Sequence, residues 1–130
     1  MLDRSQRYNA LETIAPQTIA GDLNGSTVDR SGAEAASVLF HIGAWTSGSI
    51  PFVVQDSDDG AAWSNVTAAN LVGTAPTVTD ATQDGTVVEV GYVGIKQYLR
   101  AIVTGSGGGP SVDASVLVVL DELRYRGAAL

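Results

Sequence analysis

The stretch IPFVVQDSDDGAAWSNV, residues 50–66, decides the fold class. Phe52 and Val54 alternate with Val53 and Gln55, the period of two that sends successive side chains to opposite faces of a strand. An acidic turn from Asp56 to Gly60 follows, with glycine where a short hairpin loop needs a positive φ, and Trp63 and Val66 lie on the return. Two antiparallel strands joined by a turn are expected here, and they point to an all-β module rather than an enzyme.

The flanking segments repeat the pattern. Val38, Phe40, Ile42 and Ala44 alternate with Leu39, His41 and Gly43. Continuing that alternation puts Trp45 on the face opposite Phe40 and Ile42, at a strand end open to a partner. Asn24-Gly25 is a hairpin signal before a short strand centred on Val28. Beyond Val66 a long polar connection contains one or two short strands, with Pro76 at an edge or in a loop. Residues 86–92 set Val88 and Val90 against Val87 and Glu89, and residues 97–104 set Leu99, Ala101 and Val103 against Tyr98, Arg100 and Ile102. GSGGGP, residues 105–110, has the composition of a protruding mobile loop. The closing VLVVL, residues 116–120, is apolar on both faces, so its strand is expected to be central or covered.

Residues 1–20 mix charges with spaced apolar side chains (Leu2, Tyr8, Leu11, Ile14, Ile19), and Pro16 forbids a long helix; an extended arm, or a short helix followed by an edge strand, is expected. The division is therefore an arm at 1–20, a β-sandwich domain at 21–122 and a C-terminal tail at 123–130. About seven to nine short strands with turns between them read as a two-layer antiparallel β-sandwich, with jelly-roll and Ig-like topologies both open. Its expected core holds Phe40, Ile42, Phe52, Val54, Val88, Val90, Leu99, Val103, Val116 and Val118.

Composition bounds the function. The chain of 130 residues makes one ordinary domain. It has no cysteine and one histidine, His41, which leaves little for nucleophilic or general-base chemistry and favours a structural role for that histidine. A formal charge of -7 opposes approach to a phosphate backbone, so nucleic acid is not an expected partner. No run reaches the roughly 18 apolar residues of a membrane helix, and the N-terminus lacks the apolar centre of a signal peptide, so synthesis in the cytoplasm is expected. Asp56, Asp58 and Asp59, with Asp84, are the carboxylates that could gather around calcium, but a hairpin turn selects Asp and Gly for local reasons and the spacing is not that of an EF-hand. No metal and no cofactor are expected. Trp63 is read as core packing, and Arg100, Arg124 and Arg126 as the cations most suited to an acidic partner surface.

Three segments, FVVQDSDDGAAW (52–63), VGYVGIKQYLRAIVT (90–104) and the closing VLVVL with Arg124 to Arg126, together with the first twenty residues, resemble a family of small structural proteins of tailed bacteriophages encoded beside the major capsid gene. The resemblance implies a virion protein made in the host cytoplasm and placed on the capsid surface. There it would act as a decoration or cement protein on the major capsid protein lattice, arranged as a homotrimer about a three-fold axis. A tail or head-spike component is the neighbouring implication. The Ser-Asp-x-Gly-x-x-Trp hairpin, Ser57 to Trp63, also occurs in carbohydrate-binding sandwiches, so a carbohydrate-binding module stays open. On the capsid reading the partner-binding residues are Leu2, Tyr8, Leu11, Ile14 and Ile19 of the arm, with Trp45, Arg124, Tyr125 and Arg126.

Overall fold

The structure, a computed structural model, describes residues 8–123. Ten strands run through them: β1 (Asn9–Ile19), β2 (Leu23–Asn24), β3 (Val28–Asp29), β4 (Ala33–Ser57), β5 (Ser64–Asn65), β6 (Leu71–Val72), β7 (Thr77–Val78), β8 (Thr86–Tyr92), β9 (Tyr98–Val103) and β10 (Gly107–Leu123). The fold is all-β, and the strands join in one ten-stranded sheet. One limb has the order β1-β10-β4-β8-β6. The other is built on the second half of β4, which pairs antiparallel with β9, while β9 pairs in turn with β2 and β3. The hairpin expected at residues 50–66 is present, with Gln55 opposite Asn65 and Asp56 opposite Ser64.

Strand β4 belongs to both limbs because it folds back on itself. Phe40 and Phe52, twelve positions apart on a strand that would separate them by about 40 Å if straight, have ring centroids 5.3 Å apart. The bend falls where β4 and β10 lose register, between the pairs Trp45–Val112, Ser47–Ser111 and Ser49–Gly107. Gly48 lies in it with φ 75. A Cβ at Gly48 would stand 2.5 Å from Pro110 Cα and 2.6 Å from the Gly107 carbonyl oxygen, backbone atoms that cannot swing aside. The bend brings both limbs over one core, in which Phe40, Ile42, Val116 and Val118 of the first meet Phe52, Val54, Leu99 and Val103 of the second. Each large side chain so buried stabilises the fold by about 1.5–3 kcal/mol. Of the ten core positions expected, nine are buried and Val88 packs against them half-buried.

Residues 9–19, expected within an extended arm, form the edge strand of the first limb and pair with β10 from Asn9–Leu120 to Ile19–Val112. Their attachment extends to the second limb through Thr13. The short strands β2 and β3 flank β9 but leave a gap opposite Ala101; the Thr13 hydroxyl fills it, accepting from Ala101 N at 3.1 Å and donating to the Ser26 carbonyl at 2.8 Å. Gly25 sits in the same gap, where a Cβ would meet Ala101 O and Thr13 Oγ1 at 2.4 Å. That close approach, rather than a hairpin turn at Asn24-Gly25, is why position 25 is glycine.

The glycine run at 105–110 is likewise tied down instead of protruding freely. Asp22 accepts from the amides of Gly105 and Ser106, Gly107 pairs with Ser49, and Ser47 Oγ donates to the Gly109 carbonyl at 2.7 Å.

Candidate functional site

Residues directly opposite in an antiparallel ladder share a face, so the registers sort the first limb into two surfaces. The inner rows, Leu11–Val118–Val38–Val90 and Ile14–Val116–Phe40–Val88, line the core. The outer rows are Ala10–Val119–Ser37–Gly91–Val72, then Glu12–Leu117–Leu39–Glu89, then Ser115–His41–Val87. None of Leu39, Leu117, Val119, Val72 and Val87 packs on the core. Leu39, Leu117 and Val119 are half-buried by their neighbours in the sheet, while Val72 and Val87 are 64% and 59% exposed. The result is an aliphatic outer face whose middle row has Glu12 at one end and Glu89 at the other. An antiparallel sheet facing only water alternates apolar-in with polar-out; this one is apolar on both sides along β10, which sits centrally between β1 and β4, as the VLVVL pattern requires.

At the β1 side of this face His41, Gln17, Thr18, Asp113 and Ser115 border an open groove of about 300 Å³. Thr18 Oγ1 donates to Asp113 there, so the carboxylate is already partnered.

The expected partner-binding residues fall into three groups. Leu2, Arg124, Tyr125 and Arg126 lie outside the described residues. Tyr8 is 40% exposed beside β1, whereas Leu11 is half-buried against the core and Ile14 and Ile19 are fully inside it, presenting nothing to solvent. Trp45 is turned the other way from expectation. Between the pairs Ile42–Ala114 and Trp45–Val112, β4 carries one more residue than β10, a bulge that returns Trp45 to the face of the buried Val112. Its ring packs on the core, its Nε1 donates to the Gly48 carbonyl at 2.8 Å, and its amide donates to Asp84 Oδ1.

The turn acids serve separate partners. Asp59 Oδ1 accepts from the amides of Ala61 and Ala62 and from Ser57 Oγ, which together hold its pKa down to about 2. Asp56 is buried, accepts from the Tyr92 hydroxyl at 2.8 Å and faces Lys96 Nζ at 3.7 Å. Burial first, and then the Asp56 carboxylate, push the Tyr92 phenol above its ordinary pKa. Trp63, expected in the core, lies half-buried outside it beneath Arg100, whose guanidinium carbon stands 4.4 Å from the ring centroid. Arg100 also donates twice to Gln55 Oε1, at 2.9 and 2.8 Å, so this cation is engaged within the chain.

Sequence reasoning missed the outer aliphatic face as a surface, although the two-faced VLVVL run was its signal. No protein-family model, curated protein or solved structure matches the chain.

Proposed function

We propose that the chain is a virion structural protein, a capsid decoration protein that seats the outer face of its first limb on a lattice of major capsid protein. The observation carrying this reading is the Leu117–Leu39 row with Val119 and Val87 around it: aliphatic side chains that add nothing to the chain's own core and are stable in water only at a cost that a covering partner removes. The sequence resemblance supplies the identity of the partner. A sheet folded over one core suits the role, and we read it as a two-layer sandwich of the jelly-roll or Ig-like kind. The carbohydrate reading is less well served, because both tryptophans are engaged, Trp45 on the core and Trp63 under Arg100.

With residues 9–19 already in the sheet, the binding element is a face rather than an arm that orders on contact. The deciding experiment is cosedimentation with empty capsid shells of three proteins: the full chain, Leu39→Glu/Leu117→Glu, and a chain lacking residues 1–7. The expected result is binding by the first and third and at least tenfold weaker binding by the second. Equal binding by the first two, with loss in the third, returns the role to the N-terminal arm. Absence of all three from shells, with enrichment in purified tails, makes the protein a tail component.

A further inference from the structure

Asn24-Gly25 is the one Asn-Gly pair in the chain, and Asp59-Gly60 and Asp84-Gly85 are its two Asp-Gly pairs. Such pairs carry a reaction of their own. The glycine nitrogen attacks the γ-carbon of the residue before it, and with no Cβ on the glycine nothing crowds the approach. The fold treats all three alike, committing the nucleophilic amide to an acceptor. Gly25 N donates to Ala101 O at 2.8 Å, Gly60 N to Ser57 Oγ at 2.9 Å, and Gly85 N to the Ile42 and Gly43 carbonyls at 2.9 and 3.0 Å. The aspartates are set back further, because an ionised carboxylate has a poor leaving group, and Asp59 stays ionised down to about pH 2.

Asn24 lacks that second protection, since its leaving group is ammonia. It is exposed, and β2, which carries it, is two residues long. The segment is held at its ends. Asp22 accepts from the amides of Gly105 and Ser106, and Ser26 is bonded to Thr13 in both directions, its amide donating to Thr13 O at 2.6 Å and its carbonyl accepting from the Thr13 hydroxyl at 2.8 Å. Between them Asn24 lies opposite Ile102 in the ladder with β9. Gly25 N is freed only when this segment lifts off β9, and short peripheral strands are where local opening takes the least free energy.

We infer that Asn24 is a deamidation site that the fold holds shut and that opening of residues 22–26 releases. In the lifted segment Gly25 N bonds to Asn24 Cγ, the Cγ–Nδ2 bond breaks, and the Gly25 amide proton departs with the side-chain nitrogen as ammonia, leaving a five-membered succinimide. Water then adds to one of the two ring carbonyls, and nothing is oxidised or reduced. Addition at Cγ gives aspartate at position 24; addition at the main-chain carbonyl gives isoaspartate, whose main chain runs through Cβ and Cγ and is one atom longer. The isoaspartyl product cannot be reseated. Gly25 Cα already lies so close to Ala101 O, Thr13 Oγ1 and Thr13 O that a single added methyl would clash, so an extra main-chain atom displaces Gly25 and Ser26 from their partners. Each escape is one-way, and the hold of Thr13 on Ser26 sets how often it happens. The inference goes beyond the capsid reading and stands without it.

The test follows Asn24 by peptide mapping with mass detection, and isoaspartate by enzymatic methylation, during incubation in mildly alkaline buffer. The unaltered chain is compared folded and unfolded in guanidinium chloride, and hydrogen exchange gives the protection of the Gly25 amide in the folded chain. Asn24 is expected to be lost readily in denaturant. In the folded chain the loss should be slowed by at least the protection factor of the Gly25 amide, because both events need the same bond broken. Thr13→Val, checked for folding by circular dichroism, should speed the loss by at least about fivefold, and Thr13→Ser, which keeps the hydroxyl, should reverse most of that gain. Three results overturn the inference: Asn24 stable in denaturant, a folded chain slowed by less than the Gly25 protection factor, or Thr13→Val indistinguishable from the parent. Should Thr13→Val fail to fold, the comparison between deamidation and exchange in the unaltered chain decides alone.

Discussion

Replacing Thr13 by valine keeps the shape of the side chain and removes its hydroxyl, which makes it a test of whether β1 belongs to the body or is an arm laid against it. Thr13 is 2% exposed. Its hydroxyl serves two groups with different fates. The Ser26 carbonyl lies at an exposed residue, so water replaces the lost bond at little cost; Ala101 is buried, and its amide is left without an acceptor. An orphaned buried amide costs about 1–3 kcal/mol, so the expected destabilisation is about 2 kcal/mol. For a domain of this size that lowers the melting midpoint by roughly 6–10 °C, interpolating between the shifts typical of smaller and larger domains. Thermal melts followed by far-UV circular dichroism give the midpoint, and hydrogen exchange at the Ala101 amide gives the local effect, a clear loss of protection. A midpoint within 2 °C of the parent, with Ala101 protection unchanged, refutes the reasoning: residues 9–19 would then contribute no more to the body than a loose arm.

Two further predictions concern the acidic side chains. Tyr92→Phe deprives buried Asp56 of a donor and the Lys96 amide of its acceptor, and is expected to cost about 1.5–3 kcal/mol, the range for hydrogen bonds to charged groups; in a double-mutant cycle with Asp56→Asn the two should couple by about 1 kcal/mol, and additivity within 0.3 kcal/mol counts against a direct bond. Asp59 is expected to titrate near pH 2 by carboxyl NMR, because two backbone amides and the Ser57 hydroxyl favour its charged form. Its folded pKa lies below the unfolded value, so its contribution to stability is present above about pH 4 and is lost as pH falls through 2; the difference in melting midpoint between the parent and Asp59→Ala should shrink over that interval, and a midpoint near 3.8 would contradict the turn geometry.

What could be read from the chain, and what could not, follows from how far apart the cooperating residues lie. The 50–66 hairpin and the two-faced VLVVL strand were legible because alternation and turn chemistry are local, and each segment carries its own evidence. Trp45 was misplaced because counting by twos assumes an unbroken ladder; the extra residue between Ile42 and Trp45 reverses the count, and only the pairing with β10, about seventy positions away, reveals it. Gly25 carried a turn signal for a different physical reason, the approach of Thr13 and Ala101 to its Cα. Trp63 was assigned to the core because large aromatics are usually buried, and the Arg100 cation that covers its ring comes from another strand. The cluster in which Arg30 stacks 5.3 Å from the Tyr92 ring centroid and the Tyr92 hydroxyl donates to Asp56 has no local signature, since its members meet only once β3, β4 and β8 have been placed.

The distribution of charge bears on what the proposed outer face can meet. Of the seven Lys and Arg, only Arg30, Lys96 and Arg100 fall among the described residues, and each is already engaged, by carbonyls, by Asp56, and by Gln55 with Trp63. All of the fourteen Asp and Glu except Asp3 fall within residues 8–123. Arg4, Arg7, Arg124 and Arg126 lie outside the described residues. A formal charge of -7 makes two copies repel at long range. On the outer face Glu12 and Glu89 end the central row: laid against itself about either two-fold in the sheet plane, that row sets glutamate opposite glutamate, which disfavours pairing of two copies through this face and suits a foreign, basic-rimmed partner. On the proposed capsid reading, this pattern supports attachment to another protein along Leu39 and Leu117 over pairing of two copies there.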